Sequence, residues 1–244
     1  MNTKIISLFD YTGEMGKPWA ASGYDVYCVD TQHPEGLTLN HLGEGIHAIG
    51  CDAKNFEHDY PELLKGVHML FSFPPCTDLA VSGAPHFAKK LKANPNYRKE
   101  AMDLVYLAGK LGEKLGCPWF IENPVSVIST EWRKPNHVFD PFEFGGYIPA
   151  AEAEHPNPEW RKYIAPLDAY TKLTCIWTGG ESFVFPNFKP VPLPADYKYS
   201  KQHTLLGGKS LKTKNIRSAT PRGFALAMFE ANKERNFTSN KKVV

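Results

Sequence analysis

No apolar run in this 244-residue chain approaches the ~20 residues that a membrane helix needs. The first residues carry no basic segment followed by an apolar one of signal-peptide length, so no export signal is expected. Cys28, Cys51, Cys76, Cys117 and Cys175 are scattered and odd in number. That usage argues against a disulfide framework and for free thiols in a reducing compartment, here the cytoplasm. No Cys-x-x-Cys pair occurs, and no His–His or His–Cys spacing matches a zinc site, so no metal is expected. The Gly-x-Gly-x-x-Gly turn of a dinucleotide site is missing as well.

What is present is a real core. Apolar residues make up 42% of the chain, well above the range of disordered segments. The length suits one large α/β domain with a small appendage. Net charge is only +2, but it is unevenly placed. From Asn187 to Val244 there are 12 Lys and Arg against 3 Asp and Glu, a net of +9. The remainder carries 16 against 23, a net of −7. A basic final third beside an acidic body is an electrostatic footprint for a polyanion, or a solvated tail, to which Lys241 and Lys242 belong.

Strands are expected at Lys4–Phe9, Tyr24–Val29, Ile46–Gly50, Val67–Phe71 and Cys117–Ile121, with short helices at Lys17–Ser22 and Phe56–Leu64. Tyr97–Leu115 is the clearest helix, because Ala101, Leu104, Val105, Ala108, Leu111 and Leu115 recur at three- and four-residue steps and Gly116 follows. Alternating strands and helices predict an α/β fold with a doubly wound, mostly parallel sheet. Residues 77–96 read as a long loop, and 124–200 as Pro-, Gly- and aromatic-rich with strand-like pieces at Val138–Phe144, Leu173–Trp177 and Phe183–Val184. A final helix is expected at Arg222–Glu234, opened by Pro221. Glu-Trp-Arg-Lys occurs at 131–134 and 159–162, too short for a structural repeat.

The chemistry concentrates in Phe71-Ser72-Phe73-Pro74-Pro75-Cys76-Thr77-Asp78. The prolines end a buried strand, which puts Cys76 in a rigid loop past its carboxyl end, where ligands bind in open α/β sheets. A thiol there is a nucleophile if something activates it, and otherwise a small buried residue. Glu122, in Ile121-Glu122-Asn123-Pro124, ends the next strand, as an acid facing the same pocket or as a local cap. A thiolate beside a carboxylic acid suits addition of sulfur to an electron-poor ring whose nitrogen the acid protonates. Near the start, Phe9, Asp10 and Gly13 form a strand-to-helix turn. Asp30 ends the second strand and Asp52 the third, where carboxylates accept from ribose hydroxyls and an exocyclic amine. Taken alone, that pattern serves an adenosine-type cofactor or ordinary turn chemistry equally well.

Ser7–Gly13, Pro74-Pro75-Cys76, Glu122-Asn123-Pro124 and Ser218–Ala225, in this order, resemble the cytosine-C5 methyltransferase family. The compact layout, with Cys175-Ile176-Trp177 and Arg217–Ala227, looks most like the small form encoded by phages and prophages. The resemblance covers residues 4–125 and 204–232. It implies a Rossmann-like fold, S-adenosylmethionine as cofactor and DNA as partner, single-stranded or read with little sequence specificity, with a further partner or a homo-oligomer left open. It implies Cys76 and Glu122 as catalytic residues. Phe9, Asp10, Gly13, Asp30, Asp52 and Pro74 would line the cofactor. Pro75, Ser82, Asn123 and Pro124 would meet the substrate, and Lys209, Lys212, Lys214 and Arg217 the phosphates. The segment from Asp78 to Asn94 would close over a flipped-out base. The chain lacks the second glycine of the family's cofactor turn, its Gln-x-Arg-x-Arg motif and its large target-recognition domain. Methylation of free deoxycytidine nucleotide or of RNA, or a binding module on a methyltransferase fold, are the alternatives. The implied organisation is a cofactor-binding and catalytic core at 1–125, an irregular substrate-side subdomain at 126–203, a basic segment and helix at 204–235 and a tail at 236–244.

Overall fold

The computed structural model describes residues 3–208 and 210–234. The tail at 236–244 and Lys209 lie outside these residues. An eight-stranded sheet runs through the chain: β1 Lys4–Leu8, β2 Asp25–Val29, β3 Gly36–Gly43, β4 Ile46–Gly50, β5 Val67–Ser72, β6 Trp119–Pro124, β7 His137–Phe139 and β8 Thr174–Gly179. Their spatial order is β3-β4-β2-β1-β5-β6-β8-β7. The five central strands are parallel, β3 pairs antiparallel with β4, and β8 antiparallel with β6 and β7. The helices are α1 Lys17–Ala20, α2 Ala53–Asp59, α3 Phe87–Ala93, α4 Tyr97–Leu115, α5 Ile128–Glu131, α6 Lys201–Leu205, α7 Leu211–Ser218 and α8 Arg222–Asn232.

Alternation along β1 explains the layers. Ile6 and Leu8 face a core shared with Phe56 of α2 and with Ala101, Val105 and Ala108 of α4. Ile5 faces the opposite core, with Trp19 of α1 and Phe224 and Met228 of α8. The central strands, covered on both sides, are apolar almost throughout, and all six residues of β5 are buried. Gly116, at φ 60°, closes α4 in the left-handed conformation that glycine adopts without strain.

Register places the site. Leu8 pairs with Val29 on one side and Ser72 on the other, and Ser72 pairs with Ile121. The carboxyl ends of β1, β2, β5 and β6 therefore align, and Phe9, Asp30, Phe73 and Glu122 emerge side by side. The chain moves from β1 outward to β2 and β4, then returns to the other flank with β5 and β6. The crevice at that reversal is where open α/β sheets bind ligands.

Several expectations change in detail. Strand β3 is an edge strand bounded by Pro34 and Gly43, with Leu39 64% exposed, so it lacks the buried run that marks its neighbours. Residues 77–96 are not a loop throughout: single turns at 76–78 and 81–86 lead into α3. The strand expected at 138–144 stops at Phe139, because Asp140 and Glu143 form a capping box over the turn at Pro141. Phe183–Val184 forms no strand. The Asn232 side chain instead accepts from the Val184 N–H and donates to its carbonyl, taking a neighbouring strand's place. Within 126–203, β7 and β8 join the main sheet, and apart from α5 and the start of α6 the rest is short turns and coil. No helix among the described residues is long and apolar enough to cross a membrane.

Candidate active site

The backbone of β5 carries one residue past its end, where the Phe73 N–H still donates to the Leu8 carbonyl at 3.0 Å. Pro74 and Pro75 have no N–H to give, so pairing ends there. Cys76 opens a single turn closed by bonds from the Leu79 and Ala80 N–H groups to its carbonyl, at 3.0 and 2.8 Å. Two side chains hold this turn. Asn123 Nδ2 of β6 donates to the Pro74 carbonyl at 2.9 Å in a buried bond. Lys90 of α3 donates to the Thr77 carbonyl and pairs with Asp78 at 2.7 Å. Lys90 is thereby committed to the turn, while Ser82 lies exposed on the next one.

Glu122 leaves β6 into a crevice lined by Phe73, Phe139, Lys172, Thr174 and the segment from Ser218 to Pro221. The void is about 10 Å³, the room of one water. Glu122 is intermediate in exposure as a residue, but its carboxyl is enclosed. Burial pushes that carboxyl above its ordinary range, and Lys172 pulls the other way. Cys76 is exposed as a residue, which limits its desolvation. Even so, its thiol is raised, first by burial and then by the Glu122 carboxylate, while Lys172 and Arg217 lower it. Thiol, carboxyl and two cations thus act on one another across one small region. Pro124 pairs with Thr174 on its rim.

On the other side of Pro75 is a cavity of about 300 Å³, lined by Phe9, Asp30, Gln32, Cys51, Asp52 and Leu104 among others. Phe9 holds φ at 57°, a conformation costly for a bulky residue and often found at binding sites. Asp30 Oδ1 accepts from the Gln32 N–H at 2.8 Å, and Asp52 Oδ1 caps α2 by accepting from the Lys54 N–H at 3.0 Å. Each carboxylate spends one oxygen on its own turn and keeps the other. The cavity thus combines apolar walls with two carboxylates.

Asp10 and Gly13 have supporting places. Asp10 is 5% exposed and accepts from Ser7 Oγ, from both the N–H and Oγ1 of Thr12, and from the Gly13 N–H. It braces the turn after β1. Gly13, at φ 65°, lies against Leu42 and Ile46, where a Cβ would come within 3.1 Å of Leu42. Pro74 meets the site through its carbonyl, and Pro75 lines the cavity.

The basic segment is helical. Ser210 caps α7 by accepting from the Thr213 N–H at 3.1 Å, and Thr213 and Ile216 are buried. Lys212 pairs with Glu159 at 3.0 Å, and Lys214 is exposed. Arg217 borders an open cleft of about 280 Å³ with Lys172, Tyr199 and His203. Among these, Lys172 carries no motif of its own. Only the antiparallel pairing of β8 with β6 brings it to Glu122, and no local pattern signals that. Thr174 of β8 is brought to Glu122 by the same pairing.

No protein-family model matches the chain, and no curated protein is detectably similar to it. The site therefore has to speak through its own chemistry. A thiol on a fixed turn can add to an electron-poor ring. A carboxyl whose proton affinity is raised by burial can donate to a nitrogen of that ring. A cavity of about 300 Å³ that Pro75 lines adjoins the Cys76 turn.

Proposed function

We propose that this chain is an S-adenosylmethionine-dependent cytosine-C5 methyltransferase acting on DNA, built on a Rossmann-like sheet. One observation carries the proposal: Cys76 and Glu122 stand at neighbouring strand ends, joined through the Asn123–Pro74 bond, beside a cavity with free carboxylate oxygens on Asp30 and Asp52. A module that only bound DNA would need neither the thiol nor the raised carboxyl.

The residues fit the cofactor's nucleoside part. Phe9, Val29 and Leu104 offer apolar walls to a purine, and Asp30 and Asp52 offer acceptors to hydroxyls and an amine. When bound, S-adenosylmethionine supplies the electrophilic methyl group that C5 takes up. The protein's own part lies in the ring. Cys76 loses its proton to solvent, and its thiolate forms a bond to C6. Glu122 donates its proton to N3, which draws the C5=C6 electrons and makes C5 nucleophilic. After C5 is methylated, a water molecule takes its original proton. That C–H pair re-forms the C5=C6 double bond as the S–C6 bond breaks to give back the Cys76 thiolate, and N3 returns its proton to Glu122. A void of about 10 Å³ at Glu122 is too small for a pyrimidine, so the crevice must widen around Lys172 and the 218–221 segment when the base enters.

The test is direct. DNA incubated with the protein and S-adenosylmethionine is digested to nucleosides and weighed by mass spectrometry. Deoxycytidine heavier by one methyl group is expected. Unmodified cytosine throughout would overturn the proposal, and deoxycytidine monophosphate methylated as fast as DNA would shift it to the free nucleotide.

A further inference from the structure

The cleft beside the Glu122 crevice has its own chemistry. Thr171, Lys172, Tyr199, Gln202, His203 and Arg217 border it, over about 280 Å³. The two spaces share Lys172, and Arg217 directly precedes Ser218 of the crevice. Among the described residues no carboxylate lines the cleft. Lys172 Nζ donates to the Arg217 carbonyl at 2.8 Å, which fixes the ammonium without neutralising it. Arg217 forms no salt bridge among the described residues, in contrast to Lys212, whose charge Glu159 answers. Two cations without a salt bridge among the described residues therefore face one space, Lys172 sensing the Glu122 carboxyl of the adjoining crevice.

The opposite rim is aromatic. Tyr199 is 66% exposed, and its ring leans on His203 with centroids 5.3 Å apart. An exposed tyrosine held by a neighbouring ring is a stacking platform, which accepts any base because every base has a π-face. The wall between rim and cations is preformed. Tyr197 Oη accepts from the Thr171 N–H and shares a second hydrogen bond with Thr171 Oγ1, both at 2.8 Å, and Gln202 is 5% exposed. Cations for a phosphate, a ring for a base and a shared wall with the crevice together describe a nucleotide next to the one being modified.

We propose that this cleft binds the nucleotide adjoining the target cytosine in a DNA strand, with its phosphate on Lys172 and Arg217 and its base on Tyr199. This rests on the methyltransferase reading above for the identity of the neighbouring crevice. It makes the substrate a strand and not a mononucleotide, and it supplies the phosphate grip that the missing Gln-x-Arg-x-Arg motif leaves open.

Binding and trapping test the two readings separately. Fluorescence anisotropy with a labelled single-stranded DNA 12-mer holding one central cytosine reads the cleft. Tyr199→Ala should weaken binding roughly 5- to 100-fold, the scale of one lost base stack. Tyr199→Phe keeps the ring and should bind like wild type, which separates stacking from misfolding. Arg217→Gln should flatten the log–log salt dependence by about 0.7, one single-strand phosphate contact. A 12-mer bound equally by wild type, Tyr199→Ala and Arg217→Gln, with one common salt slope, would overturn the proposal. Labelled deoxycytidine monophosphate bound as tightly as the 12-mer would do the same. In parallel, a 12-mer with 5-fluorocytosine at the centre, incubated with S-adenosylmethionine, should become covalently attached to wild-type Cys76, because fluorine at a methylated C5 cannot leave as a proton does. Absence of that adduct would count against the methyltransferase reading alone, while the anisotropy still decides the cleft.

Discussion

Asn123 Nδ2 donates to the Pro74 carbonyl at 2.9 Å, and this buried bond ties the loop of Cys76 to the strand of Glu122. Asn123 is 1% exposed, and its Oδ1 has no partner among the described residues. The side chain therefore works through one bond. Asn123→Ala would strand a buried carbonyl, at a cost of about 1–3 kcal/mol in stability. If the bond also sets the distance between thiol and carboxyl, methyl transfer should slow while affinity for S-adenosylmethionine stays the same, since Asn123 does not border the Asp30 cavity. Denaturant melts, single-turnover rates and calorimetry read these three effects. A normal rate in a destabilised variant would reduce Asn123 to a purely structural role.

Cys76→Ala should abolish turnover with fold and cofactor affinity nearly intact, because the residue is exposed and its turn is held by Asn123 and Lys90. Mass spectrometry of intact protein after incubation with 5-fluorocytosine DNA and S-adenosylmethionine should show an adduct on wild type and none on the variant. Methylation by the Ala variant at the wild-type rate would end the proposed mechanism.

The thiol and the carboxyl are both raised, each first by burial and the thiol further by Glu122. Reaction needs a thiolate at Cys76 and a protonated Glu122, so the single-turnover rate should follow a bell in pH. Lys172 lowers both groups, which fixes the sign of its removal. Lys172→Gln takes away a cation that favoured both charged forms, so both limbs of the bell should move to higher pH. A bell that keeps its position would show that Lys172 does not govern either group.

Asp30→Ala should weaken S-adenosylmethionine binding by roughly 1.5–3 kcal/mol, the scale of hydrogen bonds to a charged group. Asp30 lines the cavity and has one oxygen beyond its bond to Gln32. An unchanged dissociation constant in calorimetry would remove it from the site.

The first half of the fold could be read from the sequence because its elements are locally encoded. β4 and α4 fall where Ile46–Gly50 and the apolar stripe of Tyr97–Leu115 put them. The strand-end placement of Cys76, Glu122, Asp30 and Asp52 was legible because each follows an apolar run, and parallel register then aligns such ends. The second half is held by long-range partners. Asn232 stands in for a strand beside Val184, and Lys172 reaches Glu122 only through antiparallel β8. Asp10 looked like a ligand because an acidic residue in that turn has two uses, and its choice depends on where Ser7, Thr12 and Gly13 point.

Asp168 shows the same dependence on distant partners and carries the last prediction. Leu167 and Asp168 both hold positive φ, which swings the carboxyl onto the start of α8, where Oδ2 accepts from the Gly223 N–H at 2.9 Å. There is no room for a side chain at Gly223, whose Cβ would sit 2.4 Å from the Phe144 carbonyl oxygen, so the carboxylate meets bare backbone. Asp168 is 1% exposed, and burial lifts its carboxyl to about 6, with Glu14 adding to the rise and Arg222 opposing it. An acid raised in the folded state binds its proton more tightly there than when unfolded. Its contribution to stability is therefore full below the unfolded value near 3.8 and lost as pH rises through about 6. At 1.36 kcal/mol per unit, about 2 kcal/mol should disappear between pH 4 and pH 8. Asp168→Asn keeps an oxygen for the Gly223 N–H and has nothing to ionise. Its stability relative to wild type should thus improve by about that amount over the same interval. His155, lowered to about 4, works in the opposite direction but is present in both proteins, so it largely cancels in the comparison. Urea unfolding of the two proteins at both pH values decides it: a constant difference would mean that Asp168 is already ionised in the folded protein at pH 4.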